Sequence, residues 1–352
     1  MDKLKVLVDR LYDTHHLEKD EYVTLIENRD SIKDYVFRLS SAVREKHYGK
    51  DVYIRGLIEF TSYCKNNCYY CGIRAGNKDA KRYRLSKEQI LECCETGYAL
   101  GFRTFVLQGG EDPYYTDDII CDIIGEIKSR YPDCAVTLSI GEKSEDSYRK
   151  FFEAGVDRYL LRHETANCEH YSKLHPNPLT AENRQKCLFN LKKTGFQTGA
   201  GFMVGSPYQT NEHLAEDLLF LEKLQPEMVG IGPFIPHHAT PFADMPQGTA
   251  ELSIFMLALV RLILPTALLP ATTALGTILP NGRELALKVG ANVVMPNLSP
   301  TDVRSKYLLY DNKISTGEES AQSVKSLECR VLSAGYKVVK TRGDHASFTE
   351  RK

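Results

Sequence analysis

Three cysteines carry the strongest chemical signal in this sequence. The run Tyr63-Cys64-Lys65-Asn66-Asn67-Cys68-Tyr69-Tyr70-Cys71 spaces them as Cys-x3-Cys-x2-Cys. Three thiolates in so short a stretch can converge on one soft metal centre. A structural zinc takes four protein ligands, and no fourth cysteine or histidine lies close by; Cys93 and Cys94 come well downstream, inside a helical pattern. An all-cysteine [4Fe–4S] site also uses four. Three thiolates on such a cube would leave one iron open to an external ligand; zinc and a chance grouping remain the alternatives from spacing alone. Cys93, Cys94, Cys121, Cys134, Cys168, Cys187 and Cys329 are scattered through helical or strand patterns, where cysteine behaves as a small buried hydrophobe.

Two further groups could do chemistry. Gly109-Gly110-Glu111-Asp112 offers bare backbone; glycine lets a ligand approach closely, and its carbonyls can accept from an ammonium group. Read blandly, it is only a strand-to-helix turn. Arg184 could clamp a carboxylate with its planar fork, and Glu164 could accept from a cation. Their bland reading is a solvated ion pair.

These residues need a frame. Residues 1–50 read as a helical lead-in, with Leu4, Leu7 and Leu11 and then Tyr22, Leu25 and Ile26 at helical spacing. From 52 the period changes. Strand patterns at 52–60, 104–108, 135–140, 158–163, 198–204, 228–234, 267–271 and 292–295 alternate with helical patterns at 87–100, 117–130, 145–154, 181–194, 212–224, 251–263 and 282–289. Gly101, Gly155, Gly195 and Gly290 stand where helices should stop. The alternation predicts an α/β fold, a (β/α)8 TIM barrel over 51–300, followed by a segment, 301–352, that closes it. Chemistry in such a barrel sits at the C-terminal strand ends. Cys64, Gln108 to Glu111, Arg162-His163-Glu164, Gly205, His237-His238, Thr272-Thr273 and Asn297 all fall there.

Composition bounds the rest. In 352 residues, 42% hydrophobic and 26% charged content excludes a disordered or fibrous chain. Lysine plus arginine is 45 against 46 acids, without the basic excess of a general nucleic-acid binder. The opening residues hold no apolar leader. The richest apolar run, 255–269, is broken by Arg261 and Pro265. The expectation is a soluble, cytoplasmic protein with reduced thiols, bound to neither nucleic acid nor membrane.

With these motifs in hand, the sequence resembles a known family. The segments 53–74 (YIRGLIEFTSYCKNNCYYCGIR), 106–115 (VLQGGEDPYY), 157–167 (DRYLLRHETAN), 228–236 (MVGIGPFIP) and 271–277 (ATTALGT) look like the HydE family of radical S-adenosylmethionine (SAM) maturases of [FeFe]-hydrogenases. The resemblance runs from about residue 50 to 314. Biotin synthase and methylornithine synthase share the cysteine loop and barrel but not this set of strand-end motifs.

The resemblance implies an enzyme that cleaves SAM reductively to methionine and a 5′-deoxyadenosyl radical. Its implied substrate is a cysteine-bound iron dicarbonyl cyanide, on the way to the diiron subcluster. Cys64, Cys68 and Cys71 would then bind a [4Fe–4S] cluster. Gly109, Gly110 and Glu111 would frame the methionine amine. Gln108, Thr137, Ser139, Glu164 and Arg184 would contact SAM, and Arg55, Thr272, Thr273, Met295, Tyr307 and Tyr310 would face the substrate cavity. Implied partners are a synthon-producing radical SAM maturase, a GTPase scaffold and a reducing electron donor. The rival readings are a radical SAM amino-acid mutase or sulfur-inserting synthase, and a non-catalytic iron carrier.

Two departures stand out. Where many relatives carry Cys-x7-Cys-x2-Cys for an accessory cluster, this chain has Ser315, Ser323 and Ser326; serine replaces thiolate poorly, so no second Fe–S cluster is expected. Gly205-Ser206-Pro207-Tyr208-Gln209-Thr210 replaces the usual Gly-Leu-Pro-Gly-Gln-Thr after the fifth strand and touches no expected ligand.

Overall fold

The computed structural model describes residues 2–314 and 324–348. Three helices lead in: α1 (Asp2–Thr14), α2 (Lys19–Glu27) and α3 (Arg29–Tyr48). The first strand comes in two pieces, β1 (Asp51–Ile54) and β2 (Gly56–Thr61). Then follow α4 (Lys87–Ala99), β3 (Thr104–Gly109), α5 (Asp117–Arg130), β4 (Ala135–Ser139), α6 (Glu145–Glu153) and β5 (Arg158–Leu160). Next come α7 (Cys168–Leu174), α8 (Ala181–Thr194), β6 (Gln197–Ala200), β7 (Met203–Val204), α9 (Asn211–Leu224), β8 (Met228–Val229) and β9 (Gly232–Pro233). The chain continues through α10 (Ala250–Ile263), α11 (Thr273–Ile278), α12 (Gly282–Val289), β10 (Val293–Val294), α13 (Thr301–Arg304), α14 (Val324–Ser333) and β11 (Lys337–Val339).

Local chemistry sets where the barrel helices begin. Ser86, Thr116, Ser144, Thr180, Thr210 and Thr249 precede α4, α5, α6, α8, α9 and α10, and each side chain accepts from the backbone N–H three residues on. Each such cap stabilises its helix by about 1 kcal/mol. The α10 helix is apolar nearly all round and buries every residue from Ser253 to Ile263. It packs between α3 and α12, so the richest apolar run in the sequence is core. No helix among the described residues is long and apolar enough to cross a membrane.

The strands β2, β3, β4, β5, β6 and β8 form a parallel sheet in that order. It closes through Met228 beside Leu268, Pro270 beside Val293, β10 beside β1, and Leu57 beside Asn297. The expected ring of eight strands is therefore present, with three differences. The seventh strand, expected over 267–271, is reduced to two bridges, because Pro270 has no N–H to give its neighbour. The strands expected at 198–204 and 228–234 are each split. Gly201, at φ +150°, lies so close to Gly230 that a Cβ would stand 2.0 Å from the Gly230 carbonyl oxygen. The first strand breaks at Arg55 because it changes neighbours: β1 lies between β10 and β11, whereas β2 pairs with β3.

The β11 strand is parallel to β1, and the tail after it runs under the barrel. There Arg158, fully buried, donates to Thr104 Oγ1 at 3.0 Å and to the Arg342 carbonyl at 2.7 Å, and pairs with Asp344. Gln197 also donates to Asp344, at 2.8 Å, and Arg342 pairs with Asp157 at 2.9 Å. Burial would raise the Asp344 pKa, but Arg158 and Arg342 outweigh it and hold the carboxyl below its usual range.

Asp344→Ala leaves Arg158 without its counter-charge and should destabilise the barrel by about 3 kcal/mol at neutral pH. A carboxyl with a depressed folded pKa stabilises above its unfolded value and loses that contribution as pH falls through the folded one. Urea unfolding should therefore show the gap between wild type and variant closing below a pH of about 4. An equal midpoint at neutral pH would contradict the role given to this pair.

Candidate functional site

The segment between β2 and α4 has no regular structure long enough to hold itself. Arg82 holds it from beneath. Its guanidinium donates to the carbonyls of Ser62, Ile73, Arg74 and Asn77, the last three at 2.8, 2.7 and 3.1 Å. Asn77 donates to the Gly72 carbonyl at 2.6 Å, and Asn67 Oδ1 accepts from Gly76 N–H at 2.9 Å. The α7 helix, which the sequence reading did not anticipate, braces the loop from one side: Tyr69 N–H donates to the Leu174 carbonyl at 3.0 Å. His175 sits close to the Tyr171 carbonyl through Nδ1, at 3.1 Å, and to the Tyr70 hydroxyl through Nε2, at 3.0 Å. Burial pushes its pKa down to about 3. A neutral ring donating from Nδ1 and accepting at Nε2 satisfies both contacts.

Cys64, Cys68 and Cys71 carry free thiols on one wall of a cavity of about 300 Å³ at the C-terminal strand ends. Burial raises the pKa of all three, that of Cys68 to about 12, so a metal centre must displace their protons. Sulfurs around one tetrahedral zinc, at about 2.3 Å each, would sit about 3.8 Å apart. Among the described residues, only His237, His238 and Asp311 bring three potential ligand atoms within 4.8 Å of one another. The wider-set cysteines suit a cluster better than a single ion. The histidine trio does not make a metal site: Ala239 N–H donates to His237 Nδ1 at 3.1 Å, so the His237 proton sits on Nε2.

The floor comes from the end of β3. Gln108, Gly109, Gly110 and Glu111 all line the cavity. Position 110 must be glycine for steric reasons, since a Cβ would stand 2.2 Å from the Tyr63 carbonyl oxygen and 2.6 Å from Cys64 Cβ. The cysteine loop crosses directly over it, and Lys65 N–H donates to the Glu111 carbonyl at 2.9 Å. Beneath, Asp112 accepts from Thr61 Oγ1 at 2.7 Å and from the Arg84 fork at 2.7 and 2.9 Å.

The opposite wall carries two ion pairs. Glu164 and Arg184 both line the cavity but do not pair with each other. Glu164 faces Arg162 at 3.2 Å, and Arg184 Nε faces Glu142 at 2.7 Å. Both contacts are badly angled. Glu164 Oε2, Arg162 Nε and Nη2, Arg184 Nε and Glu142 Oε1 are buried without a hydrogen bond. Such atoms are costly unless a ligand satisfies them. Glu164 also has φ +65°, a strained conformation for a non-glycine residue, fixed by backbone bonds from Glu164 N–H to the Gly201 carbonyl and from Met203 N–H to its own carbonyl.

The segment 307–313 crosses the mouth and lends Tyr307, Leu309 and Tyr310 to the lining. Gly72 N–H donates to the Leu309 carbonyl at 2.8 Å, Lys313 pairs with buried Glu59, and His238 pairs with Asp311 at 2.7 Å.

Most of the expected residues meet here, including Ser139 and Thr272. Four do not line this cavity. Arg55 points toward the base, donating to Met228 Sδ at 3.0 Å and to the Gly343 carbonyl at 3.3 Å. Met295 packs with Tyr48, Met228, Leu268 and Val293. Thr273 is the first residue of α11, which Thr272 caps. Thr137 is buried in β4 with an unpaired hydroxyl. Arg162 was placed at a strand end but given no role, and Glu142 and His175 were not singled out from sequence. Tyr208, where the usual pattern has glycine, keeps a left-handed φ of +65° and lies outside the mouth cavity.

Residues 58–221 match the radical SAM superfamily. The [FeFe] hydrogenase maturase subunit HydE of Thermotoga maritima is 49% identical over 297 residues, 84% of each chain. This chain belongs to the HydE family. It is a radical SAM enzyme, a class built around a [4Fe–4S] cluster and SAM. 3-Methylornithine synthase of Methanosarcina barkeri is 27% identical over 344 residues, 96% of this chain and 95% of its own. A crystal structure of methylornithine synthase superposes with a TM-score of 0.82 at 25% identity, covering 95% of this chain and 97% of that one. The hydrogenase maturase HydG reaches 0.82 at 18% identity, over 96% of this chain and 76% of that one, a likeness of fold alone. The barrel expected from the strand pattern is the fold these structures share.

Gly110→Ala should displace the cysteine loop, because the obstacle is backbone; overpacking of this kind costs about 1–3 kcal/mol. After anaerobic reconstitution the variant should hold far less iron than wild type. Gly125→Ala is the control: nothing lies within 4 Å of its Cβ position in α5, and it should gain about 0.5–1 kcal/mol with full iron content. Equal iron in both variants would remove the steric role of Gly110.

Proposed function

We propose that this chain cleaves SAM reductively and acts on a cysteine-bound iron dicarbonyl cyanide in assembly of the [FeFe]-hydrogenase diiron centre. The supporting observation is one cavity in which three thiols face two ion pairs with unsatisfied buried atoms. Cys64, Cys68 and Cys71 would hold a [4Fe–4S] cluster, which when bound supplies the electron that breaks a carbon–sulfur bond of SAM. The chain's own groups bind and orient the zwitterion. Gly109 and Gly110 present backbone, and Glu111 a carboxylate, toward its ammonium. Arg184 takes its carboxylate by a charge-assisted fork, and Glu142 holds that arginine in place. Glu164, set by Arg162, offers a negative acceptor to the cationic part of the cofactor. Tyr307 and Tyr310 on the crossing segment restrict water at the mouth, which strengthens each of these contacts.

The same reading assigns the chain one cluster. Of the three serines in the accessory position, Ser326 lies in α14, and Ser315 and Ser323 lie outside the described residues. The partners proposed are the synthon-producing radical SAM maturase, the GTPase scaffold and an electron donor.

Reconstituted anaerobically, the protein should hold about four irons and, with dithionite, convert SAM to 5′-deoxyadenosine. Cys68→Ser should abolish that product. With the iron–cysteine synthon present, its cysteine should be consumed, whereas L-lysine should remain unchanged. Rearrangement of lysine with no loss of the synthon would move the chain to the mutase reading. Arg184→Lys keeps the charge but loses the fork, so SAM affinity should fall by about tenfold or more with iron content intact. Unchanged affinity would remove Arg184 from the cofactor contacts.

A further inference from the structure

We infer that the outer face of the cysteine loop is a docking surface for an acidic protein that carries single electrons. The inference rests on the radical SAM reading and adds the place where its reductant binds. Between Tyr63 and Arg84 the chain has six basic side chains, Lys65, Arg74, Lys78, Lys81, Arg82 and Arg84, against one acid, Asp79. The local balance is +5 in a chain whose net charge is −1. An ordinary solvated surface of this chain would mix the signs evenly, so the run calls for a cause.

Part of the charge is already committed. Arg82 staples the loop, and Arg84 is paired with Asp112. Lys78 and Lys81 are exposed and form no ion pair with any described residue. Lys65 is also exposed, and its contact with Glu111 is a loose 3.3 Å. Positive charge therefore faces solvent on the same segment that carries the three thiols.

Aromatic rings flank this charge. Of the six large hydrophobic side chains exposed among the described residues, three are tyrosines next to the loop: Tyr63, Tyr114 and Tyr208. Arg84 stacks on Tyr63 at 3.8 Å and Tyr114 at 4.8 Å. On the other side a shallow groove of about 440 Å³ is lined by Tyr69, Lys173, Tyr208, Pro241, Phe242 and Met245. Tyr69 belongs to the cysteine loop, and Arg74 lies 6.0 Å over its ring. Tyr208, 54% exposed, holds its ring over this groove from a left-handed backbone. Arginine and tyrosine with desolvatable rings are the residues that anchor interfaces. A basic rim steers an acidic partner and sets its orientation, which suits the small, short-lived contacts of electron-transfer proteins.

The reaction needs such a visitor. One electron leaves the carrier, which is oxidised by one equivalent. It enters through this loop and reaches the sulfonium, whose bond to C5′ breaks to give methionine and the 5′-deoxyadenosyl radical. No group of the polypeptide supplies that electron.

The test pairs binding with turnover. Oxidised flavodoxin and an acidic [4Fe–4S] ferredoxin are titrated against wild type and the double variant Lys78→Glu, Lys81→Glu, at low and at moderate salt. Wild type should bind at least one carrier, with affinity that falls as salt rises, and the double reversal should weaken binding about tenfold or more. With the reduced carrier, 5′-deoxyadenosine formation should slow in the variant; with dithionite, rate and iron content should match wild type. No binding of either carrier to wild type overturns the inference. So does equal affinity in the variant, or preferential binding of a single-stranded oligonucleotide to the same lysines. Wild type that makes no 5′-deoxyadenosine even with dithionite overturns the underlying reading instead.

Discussion

The barrel mouth depends on holding an irregular loop still enough for three thiols to share one wall. No strand or long helix does this. A single guanidinium, that of Arg82, ties together carbonyls from Ser62 to Asn77, and the missing side chain of Gly110 lets the loop lie directly on the end of β3. Five donors in a rigid fork suit arginine to this task, and a lysine could not reach the same carbonyls together. Remove either constraint and the cysteines lose their common direction, whatever happens to the barrel below. The His175 ring, neutral because it is buried, adds a third fixed point through Tyr70.

The charged wall opposite follows a different logic. Buried ion pairs usually complete their hydrogen bonds within the protein. Here Arg162 with Glu164, and Arg184 with Glu142, are close in distance but poorly angled. Each pair cancels its neighbour's charge while keeping hydrogen-bonding capacity in reserve. A zwitterionic cofactor can use that capacity without leaving a bare charge behind in the empty site. The strained φ of Glu164 fits this picture, since backbone pairing with Gly201 and Met203 holds the carboxylate at the strand end.

Much of this was legible in the sequence, and the gaps have physical causes. The cysteine spacing marked the loop because type and spacing alone constrain it, whereas the glycine pair, Glu164 and Arg184 were picked out by the family resemblance, since a turn and a solvated ion pair would look the same in sequence. The barrel was legible from period changes and from the glycines that end its helices, Gly101, Gly155, Gly195 and Gly290. Its seventh strand was overdrawn because Pro270 reads as strand in an apolar run yet cannot complete a ladder. The breaks at Arg55 and Gly201 depend on partners far along the chain, which periodicity does not report. Glu142 and His175 were missed for the same reason: each matters through a residue distant in sequence, Arg184 or Tyr70. Arg55 and Met295 were placed in the cavity by resemblance alone, and their side chains pack elsewhere.

The central claim is that Cys64, Cys68 and Cys71 would hold a [4Fe–4S] cluster that also binds SAM. Low-temperature electron paramagnetic resonance, with electron–nuclear double resonance, of the reduced, reconstituted protein, before and after adding SAM labelled with nitrogen-15 in its amino group, tests it most directly. The account predicts a single [4Fe–4S] signal whose g values shift on adding SAM, with a resolvable coupling to the labelled nitrogen. A signal that SAM leaves unchanged, or one with no nitrogen coupling, would contradict it.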